Sequence, residues 1–177
     1  MDRYWILLGK KPVKEPEQEL KYNFTNITMT VNEIIYHQIQ ALKDFSNIKR
    51  GDLGGWIQSK KNLSQKDNCW VYDNAQVSDN AQVYGNAQLY GHAQVFGSNA
   101  WVWGDARVWG DAQLYGHAQV FDDAQVHGNA KVYGNARVWG EAQVYGKAQV
   151  WGKAQVWGNA QIYGNAQVRG NAQVWKL

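Results

Sequence analysis

The chain contains a single cysteine among 177 residues, so no disulfide framework can support its fold. Because unpaired thiols are typical of reducing compartments, we expect a cytoplasmic protein. Long apolar runs are also absent. The stretch from Tyr4 to Leu8 is too short for a signal peptide or a membrane span, and no membrane partner is predicted.

The larger part of the chain has no excess of positive or negative charge. Residues 1–68 contain 11 Lys and Arg against 8 Asp and Glu, whereas residues 69–177 contain 7 of each. A segment without net charge is neither a basic groove for phosphates nor an acidic mimic of nucleic acid. No nucleic-acid partner is therefore predicted.

What the sequence does contain is one six-residue phrase, Ala-Gln-Val-Tyr-Gly-Asn, repeated with few departures from Val71 to Val174. The spacing of its aliphatic slot is constant except between Val95 and Val102, where Ser98 is the simplest extra residue. A phrase that copies itself along a chain predicts stacked identical units.

Within each phrase, small-apolar, polar, aliphatic and aromatic residues alternate, as in a short strand with two side chains inward and two outward. Ala and Val fit a narrow core, so Gln and the aromatic residue should point outward. Gly followed by Asn or Asp suits a sharp corner, since both tolerate positive φ. A helix is excluded because glycine at every sixth residue would cost it ~1 kcal/mol per phrase.

The pattern aliphatic-x-x-x-small-x, which runs from Cys69 to Trp175, resembles that of the hexapeptide-repeat proteins. The resemblance implies an all-β fold: a single-stranded, left-handed parallel β-helix whose three-sided coils each use three phrases. About six coils would then form residues 69–177, as a rod roughly 29 Å long.

Residues 1–68 are predicted to form a β-rich region that caps the first coil. Tyr22–Met29 and Glu33–Leu42 alternate as strands and predict a hairpin that turns near Val31-Asn32. The phrase Gly-Asp-Leu-Gly-Gly-Trp at positions 51–56 resembles the leader of uncharacterised phage and prophage hexapeptide-repeat proteins. A cap of this kind would protect the open strand edges of the first coil.

Placed three to a coil, the outward aromatic slots form three columns, and one of them is aromatic throughout. Its members are predicted to bind a protein partner: Tyr84, Trp103, Phe121, Trp139, Trp157 and Trp175. A purely structural ladder, a surface for self-association and carbohydrate stacking on the tryptophans are the alternatives. At the last coil, Val174, Trp175 and Leu177 are predicted to pair with a second copy and form a homo-oligomer.

Catalytic apparatus is not evident. His92 and His117 occupy corner slots and His127 an aromatic slot, on three different sides of the expected coil, so no metal site is predicted. The commonest activity of the family is acyl transfer from a CoA thioester, which implies a catalytic histidine beside a protruding loop. His117 is the nearest candidate, but no such loop accompanies it.

The sequence therefore predicts a non-enzymatic, phage-type scaffold without a cofactor, which binds a protein partner such as a host or defence protein. Two alternatives stay open. One is an acyltransferase-like enzyme that uses CoA, and the other is a purely structural unit that assembles with itself.

Overall fold

The computed structural model describes residues 19–177, which form a parallel β-solenoid with an antiparallel hairpin at its N-terminal end. Except at the two ends of the solenoid, each coil contributes one short strand to each of three sheets. The first face consists of β3 (Leu53–Ile57), β5 (Gln76–Val77), β8 (Gln94–Phe96), β11 (Gln113–Tyr115), β14 (Lys131–Val132), β17 (Gln149–Val150) and β20 (Gln167–Val168). The second face consists of β6 (Gln82–Val83), β9 (Trp101–Val102), β12 (Gln119–Val120), β15 (Arg137–Val138), β18 (Gln155–Gly158) and β21 (Gln173–Lys176). The third face consists of β4 (Trp70–Val71), β7 (Gln88–Leu89), β10 (Arg107–Val108), β13 (Gln125–Val126), β16 (Gln143–Val144) and β19 (Gln161–Ile162).

The alternation predicted from the hexad is confirmed. From Ala75 to Val156 the inward Ala, Val and Leu side chains are essentially inaccessible to solvent, while the Gln and aromatic slots are mostly half-buried or exposed. Corner glycines have positive φ, for example 69° at Gly134. The same conformation occurs at Asp122, with φ of 57°, where an aspartate takes the glycine slot.

Successive coils are joined by hydrogen bonds between backbone amides and carbonyl groups. The amide of Tyr90 donates to the carbonyl of Val108 at 2.9 Å, and that of His92 to Gly110 at 2.9 Å. Strands at equivalent places in adjacent coils therefore stay in register, as in the pair Val120↔Val138. The extra residue Ser98 is exposed in a corner, so the pairing of Gln94 with Gln113 is undisturbed.

The solenoid has about seven turns, one more than the sequence predicted. Its first coil includes Ile57, which pairs in parallel with Val77, and Leu63, which bridges to Val83. Both side chains are buried. The additional coil arises because these two residues already occupy the inward aliphatic slot, although the polar residues between Leu63 and Cys69 interrupt the repeat. The left hand of the coil remains a prediction.

The predicted hairpin is present as β1 (Tyr22–Val31) and β2 (Ile34–Ala41), joined by Asn32 and Glu33 at positive φ. Strand β2 pairs antiparallel with β3, so the hairpin extends the first face beyond the first coil. A short 3-10 helix, Lys60–Asn62, follows β3. In the part of the chain that the structure describes, no helix is long and apolar enough to span a membrane.

Two glycines of the motif at positions 51–56 allow β3 to pack closely against its neighbours, Gly54 against the hairpin and the ring of Trp70, and Gly55 against the next coil. A Cβ atom on Gly54 would lie 2.6 Å from Ile39 and 2.7 Å from the ring of Trp70. A Cβ atom on Gly55 would lie 2.7 Å from the carbonyl oxygen of Ala75. Neither position has room for a side chain, which gives the Gly-Gly pair a structural reason.

Candidate interaction surface

The column of aromatic residues that follows the second face forms one unbroken stack, which we call the continuous ladder. Its successive ring centroids lie 4.3–6.5 Å apart, and their planes are parallel to within 18°. The members are Tyr84, Trp103, Phe121, Trp139, Trp157 and Trp175. The structure therefore brings together all six residues that the sequence predicted to bind a partner, although their role stays a prediction.

Stacking determines which part of each ring a partner can reach. Within the continuous ladder the ring faces cover one another, so five of the six side chains are half-buried and present their edges to solvent. Trp175, in the last coil, is 57% exposed. Carbohydrates stack on ring faces, and free faces exist only at the two ends of the ladder. The geometry therefore disfavours an extended carbohydrate site and favours a partner that contacts ring edges.

Trp101 widens the apolar surface beside the ladder. It occupies a Gln slot of the second face, between Gln82 and Gln119, and its ring meets that of Trp103 edge-on at 6.2 Å and 74°. Its indole Nε1 is buried without a hydrogen-bond acceptor. Sequence reasoning did not single out this residue, although it is a visible departure, because Gln, Lys or Arg holds this slot in every other hexad from Gln76 onward.

The other two aromatic columns are less regular. In the column that follows the third face, His127 is sandwiched between Trp109 at 4.2 Å and Tyr145 at 5.0 Å, and burial lowers the pKa of its imidazole. In the column that follows the first face, Ser78 stands where the first ring would be and is buried. Tyr36 from the hairpin lies with Ser78 and Phe96 around a pocket of about 120 Å³, so the cap covers the place that the missing ring leaves open.

Acidic residues line the corner directly after the continuous ladder. Asp105, Asp123 and Glu141 each stand two residues after a ladder ring, and all three are exposed. We call these three residues the acidic corner. Asp105 accepts a hydrogen bond from the amide of Asn86 at 3.1 Å. Among residues 19–177 the ion pairs are Lys43–Glu19 and Lys49–Asp44, both outside the solenoid, so none involves the acidic corner.

An open groove runs along the third face beside the acidic corner. It has a volume of about 460 Å³ and is lined by Asp123, Gln125, Glu141, Gln143, Asn159, Gln161 and Lys176. The lining consists of carboxylates and amides, with one ammonium group. Sequence reasoning missed the acidic corner because only the aromatic slot was placed three to a coil; the same arrangement of the corner slots would have found it.

The residues predicted to self-associate lie on the last coil. Val174 is half-buried, whereas Leu177 is 95% exposed. Strands β19, β20 and β21 are the last in their sheets. Pairing of these strands with a second copy stays a prediction.

The histidines do not converge with other ligand-type side chains. His92 and His117 are exposed at different corners, and His127 lies within an aromatic column. In residues 19–177, no three His, Cys, Asp or Glu side chains come together as a metal site would require.

The sole cysteine takes part in a buried polar cluster under the cap. Lys21 Nζ donates to the carbonyl oxygens of Cys69 at 2.9 Å and Lys66 at 3.2 Å, and lies 3.3 Å from Cys69 Sγ. Burial lowers the pKa of the Lys21 ammonium and raises that of the Cys69 thiol. These contacts fasten the hairpin to the first coil, and the side chain of Cys69 is fully buried.

Comparison with known proteins supports the repeat architecture. A family model described as "YdcK Beta solenoid repeat" matches residues 75–91, 112–128 and 130–146. A protein of Escherichia coli (strain K12) named "Uncharacterized acetyltransferase YdcK" is 40% identical over 43 residues. That segment is 24% of this chain and 13% of the relative. The likeness thus concerns the repeat and a small part of the relative's length.

Proposed function

We propose that this chain is a non-enzymatic β-solenoid scaffold that binds a protein partner through the continuous ladder. The observation that carries the proposal is the unbroken stack of six aromatic rings along one corner of the solenoid. Aromatic residues are enriched in the centres of protein interfaces, where they provide large contact areas at a low cost in conformational entropy. Backbone hydrogen bonds between coils hold the rings in place before a partner arrives.

A phage or prophage origin is part of the proposal and rests on the Gly-Asp-Leu-Gly-Gly-Trp leader at positions 51–56. A host or defence protein would then be the partner. The single buried thiol of Cys69 supports a cytoplasmic location, because it needs no oxidising compartment.

An affinity pull-down from bacterial lysate, read by mass spectrometry, tests the proposal. One bait is the wild type, and the other carries Trp139→Ser, Trp157→Ser and Trp175→Ser. We expect the wild type to retain a partner that this ladder variant loses. Circular dichroism and thermal melting establish that both baits are folded.

A matched control bait carries three substitutions in another aromatic column: Tyr115→Ser, Tyr133→Ser and Trp151→Ser. These rings also stack on one another, at 4.8 Å and 5.6 Å. Loss of the partner from the ladder variant alone supports the continuous ladder as the site. If all three baits recover the same proteins, or only themselves, the ladder is structural and the proposal is wrong.

A second candidate function is acyl transfer from CoA, and the name of the Escherichia coli relative supports it. Such an enzyme needs a histidine positioned to activate an acceptor group. His117 is the residue that sequence analysis places nearest to this role, and it is exposed. Isothermal titration with CoA and acetyl-CoA tests the candidate. The enzyme would be favoured over the scaffold if CoA binds saturably, and if His117→Ala leaves this binding intact but abolishes acetyl transfer.

We also propose that the last coil pairs with a second copy of the chain. The exposure of Trp175 and Leu177 supports this contact, since both offer apolar surface beside the edge of β21. Sedimentation velocity of the wild type and of a chain lacking residues 171–177 measures the association. Equal association states would contradict the proposal, and species that grow steadily with concentration would favour a purely structural assembly unit.

A further inference from the structure

The continuous ladder borders carboxylates on one side only, and this asymmetry bears on what the proposed partner is. We infer that the ladder and the acidic corner together bind an extended, lysine- and arginine-rich segment of the partner protein. The inference rests on the proposed function, because it gives the chemistry of the partner of the same surface.

The carboxylates and the rings share one repeat distance. Ladder centroids are 4.3 Å apart from Trp103 to Phe121 and 5.6 Å apart from Phe121 to Trp139. Since Asp105, Asp123 and Glu141 each follow one of these rings by two residues, they stand on consecutive coils. The three carboxylates therefore span two coil steps, roughly 10 Å in length.

A basic segment in an extended conformation suits both parts of this surface. Its side chains on one side recur about every 7 Å, and the flexible stems of Lys and Arg bridge the difference from the coil spacing. Such stems lie along apolar surface while their charged ends stay in water. Here the ring edges of the continuous ladder would contact the stems, and the acidic corner would receive the charges.

The carboxylates of the acidic corner are available to such a partner. No lysine or arginine of residues 19–177 lies within 4.0 Å of them, although Arg107 and Arg137 stand on adjoining faces. The groove of about 460 Å³ on the third face continues the polar surface past Asp123 and Glu141. Its glutamine side chains can hydrogen-bond an extended backbone.

The same charges argue against other occupants. Nucleic acid and anionic membranes both present phosphates, which three neighbouring carboxylates repel. Asp122 lies beside this corner, and its carboxylate accepts a hydrogen bond from the backbone amide of Gly140 at 3.3 Å. Because Asp122 also adopts the positive φ of the glycine slot, it is left unchanged in the experiment.

Fluorescence anisotropy with labelled deca-lysine and deca-glutamate peptides tests the inference. The whole chain has a formal charge of +3, so deca-lysine has no general electrostatic reason to bind it. We expect the wild type to bind deca-lysine at low salt and not deca-glutamate, with affinity falling as salt rises to about 0.3 M. The variant Asp105→Asn, Asp123→Asn, Glu141→Gln should bind at least about tenfold more weakly.

A control variant removes three carboxylates that are also exposed but lie elsewhere: Glu19→Gln, Glu33→Gln and Asp111→Asn. Its net charge equals that of the acidic-corner variant, so a purely global charge effect would weaken both alike. The inference is overturned if the two variants bind deca-lysine equally, or if the wild type does not bind it. If deca-lysine binding fails while the pull-down still depends on the ladder, the proposed function survives without this partner chemistry.

Discussion

The continuous ladder predicts that a ring in its interior stabilises the fold more than a ring at its end. Phe121 stacks on two neighbours, Trp103 at 4.3 Å and Trp139 at 5.6 Å, with both pairs parallel to within 2°. Trp175 stacks on one neighbour at 6.5 Å and is 57% exposed. Substitution by serine should therefore cost more at Phe121 than at Trp175.

The magnitude follows from the number of contacts. An aromatic pair contributes about 0.5–1.5 kcal/mol beyond its burial, so Phe121→Ser loses roughly 1–3 kcal/mol with its two pairs. Loss of a half-buried ring adds about 1 kcal/mol. For Trp175→Ser the single long contact and the high exposure limit the cost to under about 1 kcal/mol. Phe121→Leu keeps apolar burial and removes the stacking, so its cost should fall between these values.

Guanidinium unfolding followed by far-ultraviolet circular dichroism is the appropriate assay, because tryptophan fluorescence would change with the substitutions themselves. Solenoids can unfold in more than one step, so the slopes as well as the midpoints must be compared. Equal losses for Phe121→Ser and Trp175→Ser would refute the reasoning. Equal losses for Phe121→Ser and Phe121→Leu would show that the whole effect comes from stacking.

Three further predictions concern the corner glycines, the aromatic column that follows the third face, and the cap. Gly134→Ala should destabilise the fold by about 1–2 kcal/mol more than Gly164→Ala in thermal melts. Both glycines have positive φ, but only a Cβ atom on Gly134 would contact the next coil, at 3.1 Å. Equal losses of stability would mean that backbone strain alone matters. Burial lowers the pKa of His127 in the folded state, so stability present above the unfolded pKa near 6.5 should be lost as pH falls through the lower folded pKa. The melting temperature should therefore fall more in the wild type than in His127→Tyr between pH 7.5 and pH 5.5. An equal fall in both proteins would contradict this prediction. Cys69 should react with Ellman's reagent only after unfolding, since its thiol is buried and burial raises its pKa; rapid reaction of the folded protein would place the thiol at the surface.

Periodicity made most of the solenoid predictable. A residue in a hexad has the same neighbours as its equivalents one coil away. Once the inward slot of one hexad is assigned, the orientation of the side chains in all the other hexads follows. Val126 and Ala136 are buried for the same reason as their equivalents, and the stacked rings follow from the same arrangement. Even the aspartate at position 122 follows the rule, because it adopts the positive φ of the glycine that it replaces.

The cap could not be predicted in the same way, because its contacts are not periodic. Trp70 falls in an outward Gln slot of the hexad, yet it is fully buried under Tyr22 and Phe45. Lys21 bonds to carbonyl groups about 45 residues later in the chain. No local pattern encodes either contact. They depend on how the hairpin packs beside the first coil, where Gly54 leaves room for Ile39 and Trp70.

The net charge of the repeat segment gave no indication of the acidic corner. Residues 69–177 contain equal numbers of acidic and basic residues, and this balance excluded a charged groove as a property of the whole segment. A solenoid, however, brings together residues 18 or 19 positions apart, so Asp105, Asp123 and Glu141 stand on adjacent coils while cations such as Lys147 and Lys153 lie at other corners. In such a fold, the charge of a binding surface has to be counted along each column of equivalent residues and not over the whole chain. Because the backbone of every coil is nearly the same, specificity for a partner has to come from departures from the repeat, and the acidic corner is the departure that directly borders the unbroken aromatic stack.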